Sequence, residues 1–148
     1  MILDRKGVKK LAQRIASCLK GGEVFILRGP LGSGKTFFVQ AVAESLGIRR
    51  GVKSPSFVLL QIYPAKKFSL AHFDFYRLSP KELANFEWQD YFFKPQYVSF
   101  VEWGEKVLPQ LCSLGENELF EIKFELVDEF RRRLTLSSNL KRWLKSCS

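Results

Sequence analysis

The segment Gly29-Pro30-Leu31-Gly32-Ser33-Gly34-Lys35-Thr36 constrains this chain more than any other part of it. Glycines let the backbone curl until successive N–H groups point inward at one phosphate, and a helix starting there adds its positive end. Such a loop must be delivered by a buried strand and left by a helix. Both flanks meet that demand. Glu23-Val24-Phe25-Ile26-Leu27 is short and apolar, as a strand covered on both faces must be. After the loop, Phe38, Val42 and Leu46 recur on one helical face, and Gly47 stops the run. With glycine usage of about 7%, a chance match is on the order of one in a hundred or less. The segment therefore predicts an ATP- or ADP-binding loop formed by Gly29, Leu31, Gly32, Ser33, Gly34, Lys35, Thr36 and Phe37. Lys35 would bridge the β- and γ-phosphates, and the Thr36 hydroxyl would ligate Mg²⁺.

A loop of this kind needs a second magnesium ligand, usually an acid at the end of a neighbouring buried strand. Asp74 follows Phe68-Ser69-Leu70-Ala71-His72-Phe73, and Glu102 follows Val98-Ser99-Phe100-Val101. Both qualify. Glu102 ranks first because its strand is thoroughly apolar and its charge arrives abruptly. Asp74 is expected to orient the attacking water or hold a metal-bound water. Ser54-Pro55-Ser56 sits where many nucleotide switches sense the γ-phosphate, although an ordinary loop explains it equally well. His72 reads as a satisfied core histidine and Trp103 as packing beside the site. Arg131, Arg132 and Arg133 read as a solvated strand with one inward member.

The rest of the chain supports one α/β domain spanning 1–148, with a mixed, mostly parallel central sheet flanked by helices. Val8, Leu11, Ile15 and Leu19 form an apolar stripe on a helix over about Asp4 to Leu19. Phe57 to Tyr63 and Phe68 to Phe73 read as a hairpin, and Ser79-Pro80-Lys81-Glu82 as a capping box. Phe120 to Leu126 and Arg131 to Leu136 alternate as half-buried strands, and Leu140, Trp143 and Leu144 mark a closing helix.

Hydrophobic residues make up 46% of the 148, so core material is ample and disorder is not expected. No apolar run reaches the roughly 18 residues of a membrane span, and Lys9, Lys10, Gln13 and Arg14 interrupt any signal-peptide core. Cys18, Cys112 and Cys147 are odd in number and widely spaced. They read as reduced thiols in a cytoplasmic protein rather than a disulfide framework or zinc site. The net charge of +9 is concentrated in residues 1–60, which hold eleven Lys or Arg against three acids. That basic half either attracts nucleotide or holds an RNA or an acidic protein.

With these pieces placed, the chain resembles the TsaE (YjeE) family of bacterial ATPases. The matching segments are LRGPLGSGKTFFVQAVAESLGI, VKSPSFVLLQIY, LAHFDFYRL, QDYF at Gln89 to Phe92, and VSFVEWGEKV, in the family's order. The glycine loop alone is shared by many families; its combination with SPSF, HFDFYRL and VEW is far more specific. The resemblance implies slow, Mg²⁺-dependent ATP hydrolysis serving threonylcarbamoyladenosine formation at position 37 of tRNA, in concert with a TsaB–TsaD pair. It implies that Thr36 and Glu102 hold magnesium, Lys35 binds phosphate, Asp74 is the catalytically important acid, and Ser54 and Ser56 lie in a switch-like loop. Contact of tRNA with the basic N-terminal half is a further expectation. The chain departs from the family at Pro30, usually Asp, at Ser33, usually Ala, and at Phe37, usually Thr.

Two other functions compete. A small-molecule kinase would use the same loop, but nothing resembles an arginine-bearing lid, and no arginine finger is evident in cis. A nucleotide-gated RNA-binding module would account for the basic half without catalysis.

Overall fold

The computed structural model describes residues 1–49, 51–52, 59–111 and 118–147. Its strands are β1 (Ile2–Leu3), β2 (Val24–Arg28), β3 (Leu60–Pro64), β4 (Ser69–Asp74), β5 (Tyr97–Glu102), β6 (Leu119–Leu126) and β7 (Arg132–Leu136). Its helices are α1 (Arg5–Cys18), α2 (Lys35–Ser45), α3 (Pro80–Asn85), α4 (Leu108–Leu111) and α5 (Ser138–Ser146), with 3-10 turns at Trp88–Asp90 and Gly104–Val107. All seven strands join one sheet in the order β1-β7-β6-β2-β5-β4-β3. The four central strands β6, β2, β5 and β4 run parallel, and the outer pairings are antiparallel.

The apolar strand leading into the glycine loop is β2, paired on both sides and covered on both faces. Val24 and Ile26 point into one core, Phe25 and Leu27 into the other, and all four are fully buried. One core lies under α1, α2 and α5, where Phe25 stacks on Phe100 at 4.8 Å and Trp143 closes on Phe120 at 5.1 Å. The other holds Phe73, Phe75, Leu83, Trp88 and Phe92 beneath α3 and the 3-10 turn that follows it. Burying one such ring contributes about 2–3 kcal/mol.

Local signals explain the helix boundaries. Asp4 caps α1 by accepting from Gly7 N at 2.8 Å, and Gly21 and Gly22 take positive φ beyond its end. The Ser79–Glu82 capping box starts α3 with Pro80 at its first turn. The expected hairpin is β3–β4, with Leu60 opposite Phe73. Residues 57 and 58 of the expected first strand lie outside the described residues, as do Ser54 and Ser56. No described helix is long and apolar enough to cross a membrane.

One expectation fails. Cys18 and Cys147 form a disulfide, with Cα atoms 5.7 Å apart and a sequence separation of 129. The thiols expected to be free are brought together because the end of α1 and the residue after α5 meet over the first core. A cross-link closing so long a loop removes much chain entropy from the unfolded state. Reduction, or Cys147→Ser, should lower stability by about 2–4 kcal/mol. Chemical denaturation with and without reductant would measure it; coincident midpoints would contradict it.

Candidate functional site

The carboxyl ends of β2, β4 and β5 lie together at one edge of the sheet. Asp74 sits opposite Glu102 in the β4–β5 register, and Leu27 opposite Glu102 in the β2–β5 register. In open parallel sheets, ligands bind in the crevice beyond these ends. The glycine loop leaves β2 into that crevice.

At Gly29 a Cβ would lie 2.6 Å from the Phe124 carbonyl and 2.8 Å from Ser33 Oγ, so only glycine lets the loop lie against β6. Gly34 adopts φ 100° and begins α2 without any side-chain cap. The first-turn N–H groups of α2 have no intrahelical acceptor. Ser33 Oγ is buried and without a partner among the described residues. A cradle of unclaimed donors beside a helix start suits a phosphate.

Lys35 is buried and donates to the carbonyls of Gly29 and of Pro30, the latter at 3.1 Å. Its ammonium lies 4.4 Å from the ring centroid of Trp103, a cation–π contact. Burial pulls its pKa below the ordinary lysine value, and Glu102, Glu105 and Asp74 pull in the opposite direction. Trp103 holds a left-handed φ of 60° and packs on Tyr76 at 4.9 Å. Such a backbone is unfavourable for a bulky residue and is kept only where surroundings enforce it. Trp103 therefore does more than pack beside the site: it forms one wall of the lysine's resting place.

Glu102 is buried, and its Oε2 accepts from Thr36 Oγ1 at 2.8 Å and from His72 Nε2 at 2.6 Å. Asp74 accepts from Tyr76 N at 2.9 Å through Oδ1. Burial pushes its carboxyl above the ordinary aspartate value, and Glu102 adds to this; the Tyr76 bond, His72 and Lys35 oppose it. Lys106 Nζ donates to the carbonyls of Phe75 (2.9 Å), Tyr76 (2.8 Å) and Leu78 (3.1 Å). That single cation pins the turn after Asp74.

Two cavities meet at the loop. One, of about 470 Å³, is lined by Leu31 through Phe37 together with Asp74, Tyr76, Arg77, Glu102 and Trp103. It gathers the expected loop and acidic residues except Gly29. Arg77, three residues beyond Asp74 on the pinned turn, also lines this cavity. The second cavity, of about 310 Å³, shares Ser33, Gly34 and Phe37 and adds Asp4, Arg5, Glu129, Phe130 and Arg132 among its walls. Arg5 stands 4.9 Å over the Phe37 ring, and Arg132 reaches Gly32 O at 3.5 Å. Of the three consecutive arginines, Arg132 is the inward one; Arg131 pairs with Asp128 in the open, and Arg133 is exposed.

The donor set is hard and oxygen-based: the Thr36 hydroxyl and two carboxylates. Among the described residues no group of three or more His, Cys, Asp or Glu could hold a metal alone. Mg²⁺ is commonly held by one or two carboxylates together with substrate phosphates, so these residues fit it.

The family described as "Threonylcarbamoyl adenosine biosynthesis protein TsaE" matches residues 2–134. The chain is 38% identical over 129 residues to the tRNA threonylcarbamoyladenosine biosynthesis protein TsaE of Aquifex aeolicus, covering 86% of each chain. It is 33% identical over 141 residues to that of Bacillus subtilis, covering 94% of this chain and 84% of the relative. The crystal structure of Bacillus subtilis YdiB superposes with a TM-score of 0.75 at 28% identity, over 99% of this chain and 89% of the other.

Proposed function

Because this chain belongs to the TsaE family, which the match over residues 2–134 shows, we propose that it is a Mg²⁺-dependent ATPase serving threonylcarbamoyladenosine formation in tRNA, acting with a TsaB–TsaD pair. The observation that carries the catalytic part is the meeting of Lys35, Thr36, Asp74 and Glu102 around one cavity at the strand ends. The uncapped start of α2 and the loop amides receive the β-phosphate. Lys35 exchanges the carbonyls of Gly29 and Pro30 for phosphate oxygens, and the partial desolvation it already bears lowers the cost of that move. Thr36 and Glu102 would hold Mg²⁺, which would supply neutralisation of the charge that develops on the phosphates. Asp74 has one oxygen taken by Tyr76 N and uses the other to orient water at the γ-phosphorus. Water attacks as the bond to the bridging oxygen breaks, leaving ADP and phosphate.

The smaller cavity takes the nucleoside, since it continues from the loop past Ser33 and Gly34. Phe130, 73% exposed at its rim, stacks on the base. Phe130→Ala should weaken ADP binding about three- to tenfold without moving the melting temperature. Equal affinities measured by calorimetry would place the base elsewhere. Exposed Lys6, Lys9 and Lys10 on α1 provide the basic surface for tRNA.

Phosphate release from ATP, with the protein alone and with its host's TsaB–TsaD pair, tests the whole reading. Slow release alone and strong stimulation by the pair is the expected result. Indifference to the pair would sink the assembly role. No release at all, with RNA binding that falls steeply with salt, would favour the gated binding module.

A further inference from the structure

Among the buried polar residues that the hydrolytic scheme leaves without a task are Glu23, Ser99 and His72. His72 is fully buried on β4, between Ala71 and Phe73, which both enter the second core. An aliphatic residue there would avoid the cost of burying an imidazole. Its Nε2 lies 2.6 Å from Glu102 Oε2, while Nδ1 meets no partner among the described residues. A carboxylate only accepts, so the proton between them belongs to Nε2. The tautomer protonated there also leaves no buried N–H unpaired.

The same carboxylate oxygen accepts from Thr36 Oγ1. Glu102 is thus held from two sides: by Thr36 in the first turn of α2 and by a residue on the adjacent strand. Two donors on one oxygen fix the plane of a carboxylate that could otherwise rotate about its side-chain bonds. Lys35 makes its own bonds to Gly29 and Pro30, so the acid is not drawn onto the ammonium. Carboxylates that ligate metals depend on such supporting hydrogen bonds for orientation.

We infer that His72 is a positioning residue: through Nε2–H···Oε2 it holds Glu102 in the orientation that receives the divalent cation, and so sets cation affinity without touching the nucleotide. The inference rests on the reading of Glu102 as a metal ligand.

The probe is Mn²⁺, titrated into the full-length protein with ADP and followed by electron paramagnetic resonance. Nucleotide affinity is measured separately in excess chelator. Gln places an amide nitrogen near the position of Nε2; Asn places one near Nδ1 instead. His72→Asn should weaken Mn²⁺ binding about 10–100-fold and leave chelator-treated ADP affinity within about twofold. His72→Gln should recover Mn²⁺ binding to within about threefold of the native protein. Equal Mn²⁺ affinity in the native protein and the Asn variant would overturn the inference, as would parallel loss in both variants. A fall in metal-free ADP affinity matching the Mn²⁺ loss would show a merely structural role. Glu102→Gln separates the two levels: if it leaves Mn²⁺ affinity intact, the ligand assignment fails; if it alone weakens Mn²⁺ binding, only the His72 role fails.

Discussion

Glu102→Gln should slow phosphate release about a hundred- to thousandfold while melting within a few degrees of the native protein. Loss of one preorganised electrostatic contributor at a reacting phosphate costs about 3–4 kcal/mol of barrier. Gln keeps oxygen and shape but not the charge that recruits the cation. It can still accept from Thr36 and His72, so the buried network survives. Glu102→Ala is expected to lose as much activity and also stability, because His72 Nε2–H is then left in the core without an acceptor. An unsatisfied buried donor costs about 1–3 kcal/mol. The two variants together separate ligation from packing. Near-native hydrolysis by the Gln variant would remove Glu102 from the metal site.

Asp74→Asn should act in opposite directions on activity and stability. Activity should fall about a hundredfold or more, the usual range for a lost group that orients or accepts from the attacking nucleophile. Stability at neutral pH should rise. Burial, more than any other influence, lifts the Asp74 pKa above its ordinary 3.8. In the interval between 3.8 and the raised native value, the folded protein binds more protons than the unfolded one, so stability falls as pH climbs. Above that interval the ionised carboxylate burdens the fold fully, and Asn removes the burden while still accepting from Tyr76 N. The Asn variant should melt higher at pH 7, with the difference shrinking as pH drops toward 3.8. A variant that melts lower at pH 7 would show that the charge is welcome there, and its attractions to Lys35 and His72 would then outweigh burial.

Much of this site is written locally. The loop, its flanking strand and helix, and the two strand-end acids each lie within a short window, and periodicity suffices to place them. What the sequence hides is what joins distant windows. The β4–β5 pairing sets Asp74 opposite Glu102 and His72 against the same acid, 30 residues away in sequence. No pattern within β4 marks that histidine as different from a core residue. The two-residue β1 has no periodicity to detect and exists because it pairs with Arg132 and Arg133 of β7. Cys18 and Cys147 give no spacing clue because helix packing, not chain proximity, unites them. Trp103 reads as packing until its left-handed backbone and the lysine against its face are seen.

The walls of the smaller cavity come from opposite ends of the chain: Leu3, Asp4, Arg5 and Val8 on one side, Phe124, Phe130 and Arg132 on the other. During synthesis the phosphate loop emerges early, yet β6, which pairs with β2 along its length, follows about a hundred residues later. Until then β2 has a bare edge and the smaller cavity lacks one of its walls. On the proposed function, nucleotide affinity is therefore expected to be a property of the finished polypeptide, and ATP, by binding only the closed fold, should stabilise complete chains over partial ones.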